Sequence, residues 1–120
     1  LHGCRCAPAW LLDAAALGRA CADAVCAAGL QPVGQLFHEF PATVRGPGGV
    51  TATVLLAESH LCVHTWPEQR GVTLDVYVCN FGADHSAKAH ALMDALLALF
   101  DPTTAERHAL LRGAVSGVAA

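Results

Sequence analysis

From Glu58 to Glu68 the chain reads Glu-Ser-His-Leu-Cys-Val-His-Thr-Trp-Pro-Glu. Two carboxylates, a serine hydroxyl, two imidazoles, a thiol and an indole fall within eleven residues, directly behind the apolar run Thr53-Val54-Leu55-Leu56-Ala57. Three kinds of chemistry are open to such a stretch. On a regular strand His60, Cys62 and His64 share a face at period two, and all three are ligand types for a transition metal. Zinc sites, however, usually gather ligands from separate elements, so no metal is expected. Alternatively, Ser59 or Cys79 could act as a nucleophile with a histidine base. Ser59 lies in Ala-Glu-Ser-His-Leu rather than between glycines, which excludes a nucleophile elbow. No glycine-rich loop opens a helix for a phosphate or dinucleotide. The remaining reading is a sheet merely decorated with polar groups. The concentration of imidazole, thiol and indole beside a nearly uncharged strand speaks against it.

The elements that must position these groups follow from periodicity. Asp13 is placed to cap a helix in which Leu17, Cys21, Ala24, Val25 and Ala28 recur at helical spacing, with Gly29 as its stop. Cys21 and Cys26 then read as small core residues. Leu1 to Trp10 reads as the end of an edge strand entering a loop at Pro8. Val33 to Phe40 alternates as a strand that Pro41 ends, and the Pro- and Gly-rich stretch to Gly49 is a loop. Val50 to Ala57, His60 to Trp66 and Gly71 to Cys79 are further strands. The last has Val72, Leu74, Val76 and Val78 on one face and Thr73, Asp75, Tyr77 and Cys79 on the other. Asn80 to Ala83 turns the chain into a second helix, capped by Asp84 or Ser86, with an apolar stripe of Ala89, Leu92, Met93, Leu96, Leu97 and Phe100 that Asp101-Pro102 stops. Glu106 to Arg112 reads as a final strand, though its local sequence also allows a helical turn, and the tail after Gly113 reads as frayed. The sum is an α+β, two-layer sandwich: a mostly antiparallel sheet packed against two helices.

The bulk properties bound the function. At 120 residues one domain is expected, able to bury roughly two-thirds of its unfolded surface. The chain is 54% apolar and 14% charged, against roughly 25% charged in a typical soluble domain. Two readings compete, an alanine-rich composition that inflates the apolar count and an apolar subunit interface, and the interface is the one expected. A net charge of −3 with seven scattered Lys and Arg offers no footprint for nucleic acid or anionic lipid. No stretch has the length of a membrane span. The start is not methionine and lacks a signal peptide's layout, so a cut or processed chain in the cytoplasm is expected. Its six cysteines are then reduced thiols.

The string Glu58-Ser59-His60, followed by His64-Thr65-Trp66-Pro67-Glu68, resembles the short prokaryotic S-adenosylmethionine decarboxylases, which make a pyruvoyl cofactor from their own serine. The resemblance extends from about Asp13 through Phe37-His38-x-Phe40 and Gly49-Val50-Thr51 to Leu74-Asp75-Val76-Tyr77-Val78-Cys79. It implies self-cleavage between Glu58 and Ser59, within a single domain spanning residues 1–120. Ser59 attacks the Glu58 carbonyl, and elimination and loss of ammonia leave a pyruvoyl group at residue 59. His64 and Thr51 match processing residues, Thr51 standing where the family has serine.

In catalysis the resemblance implies a Schiff base between the substrate amine and the pyruvoyl carbonyl, an electron sink for decarboxylation. Cys79 matches the cysteine that returns the proton, Phe40 an aromatic that stacks on adenine, and Glu68 a carboxylate for the ribose hydroxyls. Trp66 and Tyr77 suit a sulfonium cation by type. The family works without a divalent metal, as a homodimer with active sites near the interface, and a strand precedes its first helix. The product feeds spermidine synthesis. Ornithine or arginine as substrate, or an uncleaved binding or regulatory subunit, are the alternatives. One geometric demand stands out. On a regular strand Ser59 and His64 lie about 17 Å apart on opposite faces. Either the chain turns sharply after Ser59, or His64 serves a neighbouring subunit.

Overall fold

The structure, a computed structural model, describes residues 1–79 and 84–111. The turn expected at Asn80 to Ala83, Arg112 and the tail after Gly113 lie outside the described residues. In chain order the elements are β1 (His2–Cys4), α1 (Ala9–Leu12), α2 (Ala14–Ala27), β2 (Pro32–Glu39), β3 (Val50–Leu56), β4 (Ser59–Trp66), a 3₁₀ turn (Pro67–Gln69), β5 (Gly71–Tyr77), α3 (Ser86–Phe100) and β6 (Pro102–Thr104).

Period-two alternation builds the main sheet. Its order is β2-β3-β4-β5, and every pairing is antiparallel. Val50, Ala52, Val54 and Leu56 of β3 are buried on one face with Leu61 and Val63 of β4 and Val72 of β5. Leu17, Cys21 and Val25 of α2, Leu92, Leu96 and Phe100 of α3, and Leu11 of α1 close over that face. This is the α+β two-layer arrangement that the pattern implied. The other face carries the intervening residues, among them Leu36, Thr51, Leu55, His64 and Asp75, which are half-buried or exposed.

The helix signals hold at α2, while at α3 the expected cap at Asp84 or Ser86 is corrected to His85. The Asp13 carboxylate accepts the Ala16 N–H at 3.1 Å, and Gly29, at φ 82°, takes the left-handed backbone beyond the helix end. Gly18 is required by close approach, because a β-carbon there would run into the Phe37 ring on β2. At α3 the capping position falls to His85, while Asp84 accepts the Ser86 N–H at 2.9 Å. Those hydrogen bonds hold the Asp84 carboxyl below its usual range. Asp101, left-handed at φ 45°, ends the helix and pairs with Arg5 at 2.9 Å.

Four further expectations are corrected. The amino-terminal segment is strand only over His2–Cys4, and Pro8 opens the short helix α1 instead of a loop, giving three helices among the described residues where two were expected. Residues 106–111 form no strand. The last strand among the described residues is β6, which pairs with β1 because the left-handed Asp101 turns the chain straight back. Arg107 then reaches Asp94 of α3 at 2.6 Å. Cys26 is exposed, since it falls off the stripe of Leu17, Cys21 and Val25.

Two local features fix the hairpin between β3 and β4. At its open end the buried Thr65 hydroxyl accepts the Val50 N–H at 2.8 Å and donates to the Leu11 carbonyl at 2.7 Å. At its closed end Leu56 pairs with Ser59, so Ala57 and Glu58 make a two-residue loop, with Glu58 at φ 62°. Such loops favour glycine or asparagine at positive φ.

Thr65→Val, which keeps the shape and orphans two buried groups, is expected to cost about 1–3 kcal/mol in urea unfolding. Thr65→Ser loses only a methyl group, about 0.8 kcal/mol. Equal stability of the two variants would contradict the role given to the hydroxyl. At the closed end, left-handed strain of about 1–2 kcal/mol exceeds the entropy a glycine adds to the unfolded chain, about 0.4–1 kcal/mol. Glu58→Gly, made in a Ser59→Ala background, should therefore raise the urea midpoint.

Candidate functional site

The hairpin loop exposes the Glu58–Ser59 peptide at the tip of β3 and β4. Ser59 is half-buried, and its Oγ accepts the backbone N–H of Cys79 at 3.0 Å. Register explains the meeting. His60 pairs with Tyr77 across β4 and β5, so the residue two beyond Tyr77 comes level with the loop. The serine hydroxyl thus takes a backbone donor that lies past the end of the ladder.

On the other face of β4, His60 Nε2 lies 3.2 Å from Asp75 Oδ2, and its ring lies 5.5 Å from that of Tyr77. Cys62 Sγ accepts the Thr53 hydroxyl at 3.7 Å. His64 Nδ1 lies 2.9 Å from Thr51 Oγ1, its partner in register. His60, Cys62 and His64 therefore share a face as period two requires, yet each has its own cross-strand partner. Among the described residues no three His, Cys, Asp or Glu side chains gather as a metal would need.

The sequence-selected residues fall into two groups. Glu58, Ser59 and Cys79 lie at the closed end of the hairpin. Thr51 and His64 lie toward its open end, near Phe40, Trp66 and Glu68. Phe40 is about half exposed and meets His38 edge-on at 4.6 Å. Trp66 is 47% exposed, and Glu68 stands exposed on the 3₁₀ turn. β4 runs unbroken between the groups, so the sharp turn after Ser59 that would join them within one chain does not occur. A concavity of about 170 Å³ lined by Leu11, Leu12, Pro67, Glu68 and Arg70, among others, borders Glu68 and reaches neither Ser59 nor Cys79.

Burial sorts the thiols. It pushes Cys21 up to about 12 and raises Cys4 and Cys6, so these stay protonated in the core. Cys79 is half-buried, and its backbone N–H at Ser59 Oγ brings the residue to the hairpin tip. Asp75 escaped selection from sequence. Its signal was present in the polar face of β5, but its partner His60 becomes visible only with the strand register.

Comparison with known proteins gives one answer. Residues 1–113 match the family described as S-adenosylmethionine decarboxylase. An S-adenosylmethionine decarboxylase proenzyme of Hydrogenobaculum sp. is 33% identical over 93 residues, covering 78% of this chain and 63% of that protein. One from Aquifex aeolicus is 41% identical over 69 residues, 58% of this chain and 48% of that protein. The matches thus span less than two thirds of either relative. The crystal structure of the adenosylmethionine decarboxylase from Aquifex aeolicus superposes with a TM-score of 0.72 at 28% identity, over 96% of this chain and 90% of that one. No described helix is long and apolar enough to cross a membrane. The chain belongs to the S-adenosylmethionine decarboxylase family.

Proposed function

We propose that the chain is a self-cleaving S-adenosylmethionine decarboxylase. It acts in the cytoplasm as a homodimer of cut protomers and supplies the aminopropyl donor for spermidine synthesis. The observation that carries this reading is the hairpin tip, where Ser59 Oγ is held by the Cys79 N–H directly after a strained, exposed Glu58. A strained peptide next to an oriented hydroxyl suits transfer of the Glu58 acyl group from nitrogen to Ser59 Oγ. Loss of the Ser59 α-proton then breaks the Cβ–Oγ bond. That oxygen leaves with Glu58 as a carboxylate, and water replaces the Ser59 nitrogen, which departs as ammonia. The resulting pyruvoyl group supplies a carbonyl that takes the substrate amine and accepts the electron pair freed when carbon dioxide leaves.

The chain's own residues do the remaining work. Cys79, beside residue 59, returns a proton to the substrate carbon. Phe40, Trp66 and Glu68 present aromatic faces and a carboxylate for a sulfonium nucleoside, features that a small basic amino acid such as ornithine or arginine does not need. Thr51 and His64 act in processing. With about 17 Å of strand between His64 and Ser59, they act from a second copy. The open sheet face supports that pairing, since Leu36, Leu55 and Trp66 stand 73%, 49% and 47% exposed on it.

The intact mass of the purified protein under denaturing conditions is the direct test. Two chains are expected, 1–58 and one starting at residue 59, the latter lighter by one ammonia than a serine-started fragment. Ser59→Ala should stay whole and release no carbon dioxide, and Cys79→Ala should cut but decarboxylate poorly. Carbon dioxide from Ser59→Ala, or activity only on ornithine or arginine, would overturn the reading. The two-copy arrangement has its own check. Ser59→Ala and His64→Ala should each remain uncut alone, and co-expression should cut the His64→Ala chain. If co-expression restores no cutting, His64 does not serve a second copy.

A further inference from the structure

Processing consumes the hydroxyl that ties Cys79 to residue 59. In the uncut chain the Cys79 N–H donates to Ser59 Oγ at 3.0 Å. On the reading above that oxygen leaves with Glu58, so the mature site must hold Cys79 opposite residue 59 by other means. One side-chain link between the same two strands survives the cut. His60, immediately after residue 59, pairs with Asp75 at 3.2 Å and lies against Tyr77. Asp75 and Tyr77 belong to β5, the strand that leads into Cys79.

We infer that the His60–Asp75 pair is a positioning element of the processed enzyme, fixing the end of β5, and with it Cys79, against residue 59 once the serine oxygen is gone. The inference rests on the self-cleavage reading and assigns the pair to turnover rather than to processing. Asp75 is largely exposed, its side chain at 62%, so the pair adds little to folding. Its value is geometric, because displacement of a proton donor by about 1 Å can cost up to about a hundredfold in rate.

Displacement of Cys79 has a chemical signature beyond lost rate. If the returning proton lands on the carbon of residue 59 instead of on the substrate carbon, the substrate nitrogen stays with the protein. Uptake of one water then releases an aldehyde and leaves an alanyl start on the chain. The experiment compares Asp75→Ala, Asp75→Asn and wild type by intact mass, before and after incubation with S-adenosylmethionine, alongside turnover. Asp75→Ala should cut at the wild-type rate, lose about tenfold in kcat with KM within about twofold, and convert its pyruvoyl start to alanyl in far fewer turnovers. Asp75→Asn, which keeps an acceptor for Nε2–H, should restore most of the loss. Wild-type kcat and pyruvoyl retention in Asp75→Ala would overturn the inference, as would failure of that variant to cut. An uncut wild type would instead sink the self-cleavage reading itself, so the two failures are distinct.

Discussion

Along β4 each residue advances the chain by about 3.4 Å and turns its side chain to the opposite face. That single constraint organises the molecule. It sends Leu61, Val63 and Thr65 under the helices and leaves His60, Cys62, His64 and Trp66 on the open face. It also separates the two groups that share chemistry. Ser59 meets Cys79 at the hairpin tip, and His64 meets Thr51 toward the other end. A protomer with an unbroken β4 cannot bring them together. On the proposed function, the regularity that makes β3 and β4 a stable core ladder leaves one protomer without the full set of groups, so a second copy is part of that proposal rather than an accessory to it.

Much of this was legible in the residue order. The continuous apolar run of Val50 to Ala57 gives one strand, and the alternation in Gly71 to Cys79 gives another together with its apolar face. The Asp13 and Gly29 signals locate α2, since cap and stop are local chemistry. What escaped depends on long-range pairing. The three-residue β1 and β6 are too short to show periodicity, and each exists because the other lies beside it. Cys26 was misplaced because helical spacing tolerates a residue at the margin of the stripe, where only the packed neighbours decide exposure. In the site, the spacing of Ser59 and His64 was readable, and so was the geometric problem it poses. The Asp75 partner of His60 was not, because cross-strand partners depend on register, which the central string alone leaves open.

The same register bears on what a cut at Glu58–Ser59 would leave behind. Residues 1–58 carry β1, both amino-terminal helices, β2 and β3; the rest carries β4, β5, α3 and β6. Each piece holds part of the core, with Leu17, Cys21, Val25 and Val54 on one side of the cut and Leu61, Val63, Leu92 and Phe100 on the other. The β3–β4 ladder and the β1–β6 pairing both cross between the pieces. The Arg70 guanidinium, from the second piece, donates to the Cys4 and Cys6 carbonyls of the first at 2.6 and 2.7 Å. A loop of two exposed residues contributes almost nothing to this core, so breaking it removes a covalent constraint and little packing. On the proposed function, strain at Glu58 sits where the chain is opened, between pieces that these pairings join. The constraint then passes from the covalent link to the strand pairs flanking it, and among them to the side chains that hold β4 against the end of β5.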